Sequence, residues 1–137
     1  VIRGRFTLRL PGGAEAEAIG GPFDSLPPGA FSVCLEVRSP NAWLADIQLP
    51  CPDFGVPEPE ALRRAVAAAL AALSADPSRP LFVGCRAGIG RTGLFLGCLL
   101  RATGVEGDPV VALRRLYHPH AAETPEQEAV IRGFRLG

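Results

Sequence analysis

Apolar and polar positions alternate over residues 5–10 (RFTLRL), the two-residue period of a strand with one face in water. A proline and two glycines at 11–13 then turn the chain, and AEAEAI at 14–19 reads as a weak hairpin partner to that strand. Residues 20–29 (GGPFDSLPPG) read as loop. Alternation returns in FSVCLEV at 31–37, which puts Phe31, Val33, Leu35 and Val37 on one face, and WLADIQL at 43–49 predicts another strand. Four prolines in 50–59 (PCPDFGVPEP) exclude both a helix and a central strand there. From Glu60 the run EALRRAVAAALAALSA is a helix by propensity, stopped by Asp76-Pro77.

The second half of the chain changes character. LFVG at 81–84 is short, wholly apolar and preceded by Pro80, as suits a strand buried on both faces. A helix is expected to start near Arg91 or Thr92, run through Leu100 and stop by Gly104. Asp108-Pro109 caps a further helix over 110–117, and HPHAAE at 118–123 is loop. Thr124-Pro125-Glu126-Gln127 is a capping box that opens the last helix. Early strands followed by helices around one buried strand predict a single α/β domain over 1–137.

Composition narrows the function classes. With 47% hydrophobic and 20% charged residues in 137, the chain carries enough apolar surface for one real core. Formal net charge is zero and no stretch gathers the basic residues, all of them arginine, so no nucleic-acid partner is expected. The longest apolar stretches are too short to span a bilayer, and no signal peptide is visible. Four cysteines without paired spacing imply neither a zinc site nor a disulfide framework. Cys34 and Cys98 sit in apolar runs as small hydrophobes, which implies a reducing, cytoplasmic compartment. Cys85 stands apart because of its neighbours.

Residues 84–93 read GCRAGIGRTG, and two phosphate-handling patterns overlap there. Gly88 to Gly93 fits G-x-G-x-x-G, the turn of a dinucleotide-binding fold, but that turn needs its first glycine at the strand end and an acid about 20 residues on, ending a second strand. Here Glu106 and Asp108 lie in a helix-capping loop, and too little chain follows for further βαβ units. The alternative is a nucleophile loop. Between a buried strand and a helix N-terminus, the backbone N–H groups of residues 86–91 curl inward and the helix dipole adds positive charge, so a phosphate binds without a metal. Gly88 and Gly90 permit the tight curl, and Cys85 at its base feels the same field, which favours the thiolate. Arg91 can hold two phosphoryl oxygens in its planar fork, and Thr92 can aim a hydroxyl at the sulfur.

CRAGIGRTG resembles the signature of the cysteine-dependent protein tyrosine phosphatases, including their compact dual-specificity branch: His-Cys, five residues, Arg, then Ser or Thr. The resemblance runs from the strand at 31 to the final helix. It implies a central, mostly parallel twisted sheet flanked by helices, a phosphocysteine intermediate on Cys85, phosphate binding by Arg86, Ala87, Gly88, Ile89, Gly90 and Arg91, and no cofactor or metal. CPDFGVP at 51–57 is similar to the family's general-acid loop, which makes Asp53 the implied proton donor, with Cys51 where larger members have tryptophan. ETPEQ at 123–127 is similar to the loop that positions the hydrolytic water, with Gln127 matching its second glutamine and Glu123 standing in place of the first; plain helix capping explains the same residues. His118 and His120 read as rim residues. One departure stands out: Gly84 replaces the family's histidine before the cysteine, which implies a slower enzyme. The implied substrate is a phosphorylated protein or peptide, with phosphotyrosine first and phosphoserine or phosphothreonine also admitted, as in a dual-specificity phosphatase. Phosphotyrosine is favoured because Ile89 stands where a phosphoinositide phosphatase carries a second basic residue. A phosphoinositide phosphatase and a catalytically weak phosphate-binding module are the alternatives.

Overall fold

In the computed structural model, which describes residues 1–137, the N-terminal alternation forms β1 (Gly4–Arg9), antiparallel to β2 (Glu15–Pro22). Phe6 and Leu8 bury their side chains beside Ala16 and Ala18, while Arg5 pairs with Glu17 and Arg9 with Glu15 at the surface. β3 (Phe31–Cys34), β4 (Ile47–Gln48) and β5 (Leu81–Cys85) complete a five-stranded sheet in the order β1-β2-β5-β3-β4. Every pairing except β1 with β2 is parallel, giving the mostly parallel α/β sheet expected. β5 lies in the middle, buried along its whole length between β2 and β3.

The side-chain alternation of the central strands divides the core in two. Val33, Leu81, Val83 and Cys85 face the larger core, to which α1 (Pro59–Ala75), α2 (Gly90–Ala102), α3 (Pro109–Leu116) and α4 (Pro125–Gly133) all contribute. Ile19, Cys34 and Phe82 face a smaller core closed by Phe23, Ala30 and Ala42 from turns and 3-10 segments. The nucleophile candidate therefore points toward the helices. No helix is long and apolar enough to cross a membrane.

Four local expectations change. The segment read as a weak hairpin partner is a full strand that continues through Gly20, Gly21 and Pro22, residues read as loop. Its glycines are required by close neighbours: a Cβ at Gly20 would run into Tyr117, and one at Gly21 would press on the backbone of Ile2. WLADIQL pairs only at Ile47–Gln48, because residues 42–44 coil into a 3-10 turn. The 31–37 strand ends at Cys34, with Leu35 N–H adding one bond to the Gly84 carbonyl at 2.8 Å. Helix starts move by about a residue: α1 opens at Pro59 behind a Glu58 cap, and α2 opens at Gly90.

Candidate active site

Cys85 is the last residue of β5, and its Sγ accepts hydrogen bonds from the Gly88 N–H at 3.2 Å and the Thr92 hydroxyl at 3.1 Å. The loop that returns the amide to the sulfur passes through Gly88 at φ +79°, where a Cβ would collide with the backbone of Gly21. No L-residue with a side chain fits that turn. α2 then begins without any side-chain cap, whereas Glu58, Asp108 and Thr124 cap α1, α3 and α4. The first-turn amides of α2 are thus left to whatever occupies the loop, and the helix dipole favours an anion there.

Arg91 is 3% exposed and fully engaged at one end. Its Nη1 donates to the carbonyls of Cys51 (3.0 Å) and Leu35 (3.5 Å), and its Nη2 to a Glu36 carboxylate oxygen at 3.3 Å. Burial pushes the Glu36 carboxyl up, but hydrogen bonds from the Arg38 backbone and the Arg91 guanidinium outweigh it and hold the group below its ordinary range. The guanidinium is therefore locked in place by an ionised partner. Asp53 approaches the same nitrogen as Glu36, with Oδ1 3.7 Å from Nη2; it is half exposed and also accepts from the Phe54 N–H at 3.1 Å. Phe54 takes φ +60°, so a bulky residue holds a left-handed turn directly beside the acid.

The structure brings Cys85, Arg91, Thr92 and Asp53 together, and places the remaining candidates around them. Glu123 lies with its carboxylate against Gly90, where a Cβ would strike it. Gln127 is fully buried: its Nε2 donates to the Gly55 carbonyl at 3.0 Å and its Oε1 accepts from the Glu123 N–H at 2.8 Å. It braces the 51–57 loop against the 118–124 loop, and its backbone N–H completes the expected cap by donating to the Thr124 hydroxyl at 3.1 Å. The His118 and His120 rings lie 5.6 Å apart and tilted by 50°, outside the residues that line the cleft beside Cys85. No three His, Cys, Asp or Glu side chains gather as a metal would require. A cleft of about 460 Å³ opens beside Cys85, lined among others by Phe23, Asp24, Glu36, Arg38 and Arg86.

The missing histidine has a steric cause. Gly84 faces the smaller core, where a Cβ would lie 2.8 Å from the Phe23 Cα and 3.0 Å from the Phe82 ring. No side chain fits before this cysteine. Two residues that sequence reading passed over touch the loop instead. Tyr117 donates its hydroxyl to the Gly88 carbonyl at 2.5 Å, and Arg3 donates through Nε to the Ala87 carbonyl at 3.0 Å. Glu36 was also missed, since alternation alone places it on the outer face of a strand. The available signal for Tyr117 was its being the lone tyrosine at the end of an apolar helix, where a buried hydroxyl must find a partner.

The site thus joins a strand-end cysteine in a glycine-curled loop, an uncapped helix behind it and a buried arginine in the first turn of that helix. The family model of the Swiss Army Knife protein DSP-PTPase phosphatase domain (PTP-SAK) matches residues 32–135, and the chain belongs to that family. The fold is shared with solved structures at low identity. A crystal structure of kinase associated phosphatase (KAP) with serine in place of its catalytic-site cysteine is 18% identical and superposes with a TM-score of 0.69 over 98% of this chain and 95% of that one. Tk-PTP in the active form is 21% identical, with a TM-score of 0.67 over 85% of this chain and 88% of that one. PTPMT1 is 17% identical, with a TM-score of 0.62 over 84% and 87% respectively. No curated protein matches the chain at the level of sequence.

Proposed function

We propose that the chain hydrolyses phosphotyrosine in proteins or peptides through a phosphocysteine intermediate on Cys85. The observation that carries this reading is the Cys85 sulfur, which receives the Gly88 amide and the Thr92 hydroxyl beside a buried, carboxylate-locked Arg91. In the first step the Cys85 thiolate attacks phosphorus in line, the bond from phosphorus to the ester oxygen breaks, and Asp53 gives that oxygen its proton. In the second, water attacks phosphorus, Asp53 takes the water's proton, and the sulfur–phosphorus bond breaks to return a thiolate that Thr92 stabilises. Arg91 and the amides of residues 86–91 bind the equatorial oxygens and hold the charge that builds in the transition state. The water-orienting role goes in this reading to Glu123, supported by its carboxylate lying against Gly90, while Gln127 donates to the Gly55 carbonyl in the Asp53 loop.

Phosphotyrosine is favoured over a polyphosphorylated headgroup because the cleft beside Cys85 mixes Asp24 and Glu36 with Arg38 and Arg86. The two carboxylates offset the two guanidinium groups, so the cleft lacks the net positive charge that a second phosphate would need. The test is a comparison of kcat/KM for a phosphotyrosine peptide, a phosphoserine peptide and a soluble phosphoinositide. The highest value is expected for the phosphotyrosine peptide. A higher value for the phosphoinositide would overturn the substrate assignment and leave the chemistry standing.

A further inference from the structure

The amides that would hold a phosphoryl group are held from behind by two side chains outside the signature loop. A trans peptide places its C=O and its N–H on opposite sides. The Ala87 carbonyl binds Arg3, and the N–H of the same peptide, that of Gly88, points the other way onto the Cys85 sulfur at 3.2 Å. The Gly88 carbonyl binds the Tyr117 hydroxyl at 2.5 Å, so the Ile89 N–H is turned toward the cradle. We propose that Tyr117 and Arg3 are positioning residues of this site, which grip the outer face of the loop and so aim two of its amides at the sulfur and at the bound oxyanion.

The route by which Tyr117 reaches the loop is built into the sheet. Gly4 and Gly20 face each other across the β1–β2 pairing, and a Cβ at either one would run into Tyr117. Two facing glycines thus leave a slot that the ring fills on its way to Gly88. Burial, and after it the Cys85 thiolate, push the phenol well above its ordinary range, so the hydroxyl remains a donor. Arg3 is fixed by its own backbone, whose N–H donates to the Gly20 carbonyl at 2.8 Å, one position beyond β1. Arg3 also lies outside residues 32–135, so the N-terminal segment supplies a contact that the matched family region does not contain. With the position before Cys85 closed to any side chain, both grips on the loop come from residues outside the signature.

The inference rests on the proposed phosphatase chemistry, and its test separates the two. Vanadate inhibition, kcat and KM on an aryl phosphate, and the melting temperature are measured for the full chain and for Tyr117→Phe, Arg3→Leu and Arg3→Gln. Tyr117→Phe keeps the ring and loses only the donor, so it is expected to weaken vanadate inhibition and lower kcat by about three- to tenfold, the worth of one buried hydrogen bond. Arg3→Leu should act in the same direction and Arg3→Gln, which keeps a donor, should recover most of the loss. A purely structural tyrosine would lower the melting temperature and leave the vanadate constant of the folded protein unchanged; that result would overturn the role of Tyr117. Arg3→Gln as impaired as Arg3→Leu would assign its effect to charge and overturn the role of Arg3. A wild-type chain that neither binds vanadate nor turns over the ester would instead refute the site itself.

Discussion

Arg91 carries a full charge with almost no water around it, which is tolerable only where fixed partners replace its hydration. Two carbonyls and the Glu36 carboxylate do so, with the Asp53 carboxylate 3.7 Å from the same Nη2. The acid role assigned to Asp53 has a graded consequence. A phenol as basic as tyrosine needs a proton as it leaves, whereas an activated aryl group departs as the anion. Asp53→Asn is therefore expected to cost roughly 10²–10⁴-fold on phosphotyrosine and clearly less on an activated aryl phosphate. The basic limb of the pH–rate profile should flatten as well. Equal losses on both substrates with the bell shape intact would make Asp53 a turn residue and move the search for the donor to Glu123. At this scale the sequence was legible where the chemistry is local. Cys85, Arg91 and Thr92 lie within one short loop, and Asp53 lies in a proline-bearing one. Glu36, Tyr117 and Arg3 were not legible, because each acts through a contact between distant parts of the chain that no spacing records.

Helix ends account for much of what was readable at the level of elements. Asp108 accepts from the Val110 N–H at 2.9 Å and Thr124 from the Gln127 N–H at 3.1 Å, so both caps form where their residue types predict them. β2 was misread because its glycines signal a turn in isolation, while in the fold they make room for Tyr117 and for the backbone of residues 1–3. The same caps carry a pH-dependent link between α3 and α4. Asp108 is held below its ordinary range first by the Arg132 guanidinium, and Glu128 first by Arg114 with Arg132 adding to it. A carboxyl whose folded pKa is depressed adds stability above its unfolded pKa, and that contribution is lost as pH falls through the folded one. Arg132→Gln should thus lower the melting temperature near neutral pH and have little effect at an acid pH below the depressed folded values, where both carboxyls are neutral. An equal decrement at both pH values would show that Arg132 acts by packing alone.

Over the whole molecule, the parallel strands carry the chain ends that matter to one edge of the sheet. β5 ends at Cys85, the chain leaving β3 delivers Leu35 and Glu36, and the segment after β4 delivers Cys51 and Asp53. Such an edge is where open α/β sheets place their ligands, since loops from separate strands converge there. The buried central strand was legible from one short apolar run among helices, and the mostly parallel sheet from the resemblance that the Cys85 loop carries. Its strand order was not, because pairing depends on contacts between segments far apart in sequence. The central claim, that Cys85 carries the phosphoryl group, can be tested directly. The chain is mixed with an aryl phosphate, quenched in acid within the first turnovers and digested, and the phosphorylated peptide is located by mass spectrometry. The account predicts one phosphoryl group on the peptide that contains Cys85, and neither phosphoenzyme nor turnover in Cys85→Ser, whose hydroxyl stays protonated. Substantial turnover by Cys85→Ser, or phosphate found on any other residue, would contradict it.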